Sequence, residues 1–486
     1  MKIISKILKD KFFILVFFKY FAFVIKALKG LLIAKFLGPY FMGVWGFMLM
    51  IEDYLAYTGF GIQSYLSVEL AKSTKDNVYQ KQIMSQTISG YVIIFIFILL
   101  LYPIYVLLGN NFGGKYLLGS FLIYCLINTG LHHLQRSFFE FYRVAKKFSL
   151  INFSEIVTIS LPLLAFIFFK NEQLIWAMYV LSIFAYIISL LIFFYYLPFK
   201  IKLIFKLKQL GNLISKGFPF LIYNLSFALI ALSGKTIVSL FYLVKEMGYF
   251  SFAVSITAAC LLGIKTVQWA ILPSLISRYN NMNDKQEVLK FAYLLEKINS
   301  TVVIFFVMIV MIILPALFIF FPEYLPSYKV MIYLFLNAAV LSMGMGFGSY
   351  IIVKNKQIIL AKYSIFIFIL ITLINLITSQ YLNLSFEWIA IGQILGSMIF
   401  IILQRKTFHE ISGNSIDFFA LVTTCFPLKV IIPMIIFALG MHLEYSILYF
   451  IAGLFLFTAL NYKNFFIINS FIKERYKVKN DNIDIN

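Results

Sequence analysis

KFFILVFFKYFAFVIKALKGLLIAKFLGPYFMGVWGFMLM (11–50) holds two apolar runs long enough to cross hydrocarbon, divided at Gly38-Pro39. Lys19, Lys26 and Lys29 interrupt the first run. A lysine at a bilayer centre costs about 2.5–3.5 kcal/mol on insertion scales, so three on one helix predict a watery cavity or an anionic ligand rather than lipid. Lys26 falls roughly 20° short of two full turns from Lys19, and Lys29 lies about 60° round from Lys26, so all three share one face. Lys35 points nearly opposite, close to the outer boundary, and reads as a snorkelling lysine. Lys235 and Lys265 repeat the pattern in two apolar stretches beyond the middle of the chain.

The rest of the chain has the same solvent. Hydrophobic residues make up 62%, aromatics 19% and charged residues 13% of the 486 residues, and mean hydropathy is +0.93, which excludes a soluble globular class. The net charge of +21 reflects basic loops attracted to anionic lipid; no basic run belongs to a soluble fold, so nucleic-acid binding is not expected. Cys125, Cys260 and Cys425 lie in or beside apolar segments without metal-type spacing and read as packing residues. The basic start, Lys2 to Lys11, runs into an apolar stretch too long for a signal-peptide core, so the first helix is expected to stay as an anchor.

Apolar stretches at 12–37, 40–66, 85–109, 115–135, 148–169, 173–197, 217–241, 248–275, 298–321, 329–353, 358–380, 385–404, 419–441 and 443–462 predict an all-α polytopic membrane protein of about fourteen spans. Pro427, Lys429 and Pro433 interrupt the thirteenth, which leaves twelve crossings plus a re-entrant or short pair as the alternative. Basic residues gather in alternate loops: Lys72, Lys75 and Lys81, then Lys200, Lys202, Lys206, Lys208 and Lys216, then Arg405 and Lys406, and finally Lys473, Arg475, Lys477 and Lys479. The opposite loops hold only Lys115, Lys170, Lys245 and Lys329. That asymmetry predicts both termini on the cytoplasmic side.

The basic connector 198–216 separates two similar halves. LGPYFMGVWGFMLM (37–50) and VKEMGYFSFAVSI (244–256) each put a glycine-aromatic turn after a lysine-bearing helix, and SYLSVELAKST (64–74) and ILPSLISRYNN (271–281) close the following spans. The organisation expected is a six-helix lobe at 1–197, the connector, a six-helix lobe at 217–404, and a helix pair with a tail at 405–486. In duplicated transporters of this kind the substrate site lies at the repeat interface near the midplane.

The turn LGPYFMGVWGF, the stretch TGFGIQSYLSVELAKSTKD (58–76) and the second-half stretch GFPFLIYNLSFALIALSGKTIVSLFYLVKEMGYFSFAVSI (217–256) resemble the polysaccharide-repeat-unit flippases of the MOP exporter superfamily, the Wzx-type proteins of O-antigen and capsule synthesis. The resemblance implies a V-shaped, two-lobed, MATE-like helical bundle in the bacterial cytoplasmic membrane. Its cargo would be an undecaprenyl-pyrophosphate-linked oligosaccharide moved to the outer leaflet by alternating access, with a polysaccharide polymerase and chain-length machinery as partners. The family's cationic cavity would correspond here to Lys19, Lys26, Lys29, Lys235 and Lys265. Arginines common in such cavities are expected to be missing from these spans, which removes bidentate clamping of the pyrophosphate.

The intramembrane acids Glu52, Asp53 and Glu155 admit two readings, proton or Na⁺ coupling and structural counter-ions. Lys26 and Glu52 lie equally far from Pro39, so a hairpin sets them at one depth, fit for an ion pair. Lys235 and Lys265 have no acid on their own spans. Adjacent His132 and His133 diverge by about 100° on a helix and suit no shared metal. No catalytic residue, cofactor or metal is expected. Two rivals remain: a MATE-type cation antiporter, which would want an acidic cavity, and a membrane-embedded glycosyltransferase or polymerase, which would want a large charged outer loop.

Overall fold

The computed structural model describes residues 11–72, 76–100 and 114–470, with 102, 103 and 107, but without 283, 355, 383, 415, 441–445 and 469. The side chains of Lys19 and Lys26, and the basic ends at 1–10 and 471–486, lie outside the described residues. No strand occurs among those described. The helices are α1 (Lys11–Leu55), α2 (Ile62–Lys72), α3 (Asn77–Leu100), α4 (Leu118–Val144), α5 (Phe148–Ser160), α6 (Ala165–Phe168), α7 (Asn171–Tyr195), α8 (Leu207–Phe241) and α9 (Val244–Asn280). They continue with α10 (Lys285–Phe320), α11 (Tyr328–Leu341), α12 (Met345–Val353), α13 (Gln357–Gln380), α14 (Trp388–Ser412), α15 (Phe418–Cys425), α16 (Leu428–Leu439) and α17 (Ser446–Leu460).

Helix α1 is two helices in one, broken at Gly38 (φ 65, ψ 174), a conformation that only glycine adopts cheaply. Pro39 follows at the first position of the second half, where its missing N–H costs nothing. The break folds the chain back. A straight helix would hold Lys29 and Glu52 roughly 35 Å apart, yet the two interact electrostatically.

Among the described residues, nine helices are long and apolar enough to cross a membrane, and two bent pairs, Phe418–Cys425 with Leu428–Leu439 and Leu448–Leu460 with Tyr462–Ile468, raise the number to eleven. This is a multi-pass membrane protein, and the expected count of fourteen is not reached by this measure. The three remaining stretches, 12–37, 115–135 and 217–241, are helical but fall short for separate reasons. The first merges with its neighbour across Gly38, and in α8 the apolar stretch among the described residues is Ala228–Phe241. Helix α4 carries Asn128, His132, His133, Gln135, Arg136 and Glu140, too polar for a lipid-facing span.

The chain forms two compact units, Met1–Ala228 with Lys235–Ala259, and Leu229–Gly234 with Cys260–Asn486. In the first, α4 is central and packs on α1, α2, α3, α5 and α7. Its core includes Met48, Phe121, Cys125, Phe138, Tyr142, Tyr179 and Phe193. Nearby, the backbone N–H groups of Lys202 and Ile204 donate to Ser85 Oγ (3.3 Å) and Ser89 Oγ (2.9 Å), pinning the extended connector to α3. In the second unit α14 packs on α11, α12, α13 and α15, while α10 packs on α11, α12 and α17.

The two similar segments touch inside the first unit. MGVWGF (42–47) and MGYFSF (247–252) lie 205 residues apart, Gly43 matching Gly248 and Pro39 matching Val244. A Cβ on Gly43 would sit 1.9 Å from the Val244 carbonyl oxygen, and one on Gly248 would sit 1.8 Å from that of Pro39. A Cβ on Gly46 would lie 1.9 Å from Ser251 Oγ, and Gly46 and Ser251 are themselves equivalents at the same offset. The contact is therefore reciprocal, with equivalent positions meeting at Gly46 and Ser251. In each pair one member is a glycine, whose missing side chain permits so close a crossing.

Candidate transport site

Three consecutive residues near the end of α1 divide between two neighbours, one to α4 and two to α8. Glu52 turns into the first unit, where its carboxylate accepts from Asn128 Nδ2 on α4 (3.0 Å) and lies beside the Tyr179 hydroxyl on α7. Tyr179 in turn meets Cys125 Sγ (3.5 Å) and packs on Trp45, ring centroids 5.5 Å apart. Asp53 turns to α8 and lies 3.5 Å from Lys235 Nζ; the carboxylate side chain is 55% exposed and the lysine 12%. Next to it the hydroxyls of Tyr54 and Thr236 share a hydrogen bond of 2.7 Å. The structure thus brings Lys29, Glu52, Asp53 and Lys235 to one region of the first unit. It gives Lys235 an acid that sequence spacing did not reveal, because the pair joins different helices.

Glu155 lies half-buried on α5 and makes polar contacts of its own. His132 accepts from Arg136 Nε (3.2 Å), while buried His133 stacks on Tyr91 with ring centroids 5.1 Å apart. The two imidazoles thus have separate partners.

Lys265 on α9 belongs to the second unit and differs from Lys235. It is exposed, and among the described residues it makes no ion pair or hydrogen bond. One turn further on, Gln268 Nε2 donates to Asn299 Oδ1 (2.8 Å), and Asn299 Nδ2 donates to the Ser342 carbonyl (2.6 Å). Residues three apart share a helix face, so Lys265 stands beside this polar ladder. Sequence reasoning missed Gln268 and Asn299; uncharged amides in apolar stretches give too weak a signal alone.

Arg405 overturns the expectation that no arginine lies within the spans. Assigned to a basic loop directly after 385–404, it sits inside α14, which runs on to Ser412, and its side chain has 0% exposure. Its guanidinium pairs with Glu296 on α10 and lies over the rings of Phe347 (4.3 Å) and Tyr293 (5.4 Å). It is enclosed by its partners, so its role is to join α10, α12 and α14.

The sequence profile of a family described as "Polysaccharide biosynthesis protein" matches residues 32–321, more than half of the chain. No curated protein matches the sequence. Among solved structures the fold is similar to the lipid II flippase MurJ in an inward closed conformation, with TM-score 0.69 and 14% identity over 93% of this chain and 99% of that one. It is also similar to an inward-facing multidrug resistance MATE family transporter of the MOP superfamily, with TM-score 0.63 and 15% identity over 81% of this chain and 96% of that one. A MOP superfamily transporter from Pyrococcus furiosus, described as having a binding pocket of reverse polarity, matches at TM-score 0.51 and 12% identity over 82% of this chain and 93% of that one. At such identities the likeness speaks for the fold alone.

Proposed function

The chain belongs to the polysaccharide biosynthesis protein family, and we propose that within it this protein is a flippase for an undecaprenyl-pyrophosphate-linked oligosaccharide repeat unit. The cargo moves from the cytoplasmic to the outer leaflet by alternating access, in a bacterial cytoplasmic membrane with both termini inside. The lysine asymmetry of the loops supports that orientation.

One observation carries the anionic cargo: Lys265 is exposed at the end of the apolar span Val244–Lys265, with no counter-ion among the described residues. An ammonium turned to lipid is penalised, whereas one facing a hydrated path can receive a diphosphate. Gln268 and Asn299 would offer amide groups to the same headgroup. Lys19, Lys26 and Lys29 would add charge to the path, and Lys235 would do so once released from Asp53. In cells, Lys265→Ala is expected to abolish surface glycan and leave lipid-linked repeat units in the inner leaflet at unchanged protein level. Wild-type glycan export from that variant would remove the role given to Lys265.

A MATE-type antiporter is the second reading, favoured by the fold. An antiporter for organic cations would want Asp53 open to its substrate, and Lys235 holds that carboxylate instead. Glu52 is the residue to which we assign ion coupling, because neutral partners, Asn128 and Tyr179, can hold it with or without its charge. Transport in inverted vesicles is expected to slow when the proton or Na⁺ gradient is dissipated, and an unchanged rate in both cases would remove the coupling.

A further inference from the structure

Residues 235–251 meet α1 and the 114–116 turn in one patch of the first unit. At its centre Gly46 meets Ser251, flanked by Gly43 against Val244 and Gly248 against Pro39. On one side Lys115 Nζ donates to the Tyr242 carbonyl (2.8 Å) and the Tyr116 hydroxyl to that of Ser239 (3.0 Å). On the other, Thr236 meets Tyr54 and the Met50 sulfur (3.7 Å), and Lys235 meets Asp53. The same two helices also give residues 229–234 and 260–280 to the second unit, so membership changes in mid-helix.

The chemistry of this patch suits a contact that separates. Small residues bring backbones together without interlocking side chains. The Ser251 hydroxyl is buried there and has no hydrogen-bond partner among the described residues, a group that water would satisfy on opening. Ion pairs and hydroxyl pairs at the edge can likewise exchange to water.

Resting on the transport reading above, we propose that this patch is the shut outer gate of the transport path and that Asp53 is its positioning residue. With the gate shut, Asp53 holds Lys235 in an ion pair; when the outer halves of α8 and α9 leave α1, the ammonium is uncovered. The path therefore presents an unpaired ammonium on the outer side only when that side is open, with the Asp53 carboxylate freed on α1 at the same moment, while Lys265 carries its charge without Asp53.

The test needs no knowledge of the cargo. In full-length protein with Cys125, Cys260 and Cys425 changed to serine, Ser251→Cys is labelled in intact cells with a membrane-impermeant maleimide added outside. Labelling is expected to be slow with Asp53 present and about fivefold faster with Asp53→Asn, the largest shift expected from losing one partly exposed ion pair. Lys235→Met should accelerate it equally, and the charge-swapped pair Asp53→Lys with Lys235→Asp should return it to the slow rate, which also shows that the fold survives. Equal labelling with and without the ion pair would overturn the role of Asp53, and rapid labelling in its presence would overturn the shut gate. Either result leaves the cargo to be judged separately by the Lys265 variant.

Discussion

Arg405 shows how a residue one position past an apolar run can be misread. Hydropathy ends the span at residue 404, but α14 continues to Ser412, and the guanidinium is enclosed by Glu296, Phe347 and Tyr293. Removing one partner of such a pair strands a buried charge and costs about 3–5 kcal/mol, whereas replacing both by apolar groups is often neutral. Arg405→Ala is accordingly expected to lower the thermal unfolding midpoint strongly, and the double variant Arg405→Met with Glu296→Leu to recover most of the loss. The intramembrane lysines and acids were legible in the sequence because charge inside an apolar run is conspicuous. Their partners were not, since Asp53 and Lys235, or Glu52 and Asn128, meet only through the rotational setting of different helices, which hydropathy does not encode.

At the level of elements, the division of the first long segment at Gly38-Pro39 was readable from the glycine and proline alone, and the backbone breaks at Gly38. Gly38→Ala would force an alanine to φ 65 and is expected to destabilise by about 1–3 kcal/mol. Gly30→Ala makes the control, because a Cβ there meets nothing within 4 Å and the change should be neutral or slightly stabilising. Comparable unfolding midpoints for the two variants would contradict the strained break. Helix lengths were less legible. Helices α8, α9 and α10 have 35, 37 and 36 residues, longer than the roughly 20 that cross hydrocarbon, so they run into stretches that composition alone assigned to loops. Polar residues end an apolar signal, but they do not end a helix.

For the whole molecule, two similar glycine-aromatic segments were visible in the sequence, and the structure adds that both are helical and meet each other, Gly46 against Ser251. Sequence could give the likeness but not the contact, which depends on both segments packing in one unit. Orientation is a property of this scale as well. Single cysteines placed in the loops near Lys170 and Lys245 are expected to react with impermeant reagent outside the cell, and cysteines near Lys206 and Lys285 to be protected; the reverse pattern would invert the transport direction. The most direct test of the account is reconstitution of the purified protein in vesicles containing undecaprenyl-pyrophosphate-linked oligosaccharide, measuring the fraction of glycan that reaches a membrane-impermeant glycosidase. The account predicts that this fraction rises with wild-type protein and stays at the protein-free level with Lys265→Met. No rise with wild-type protein, or an equal rise with Lys265→Met, would contradict it.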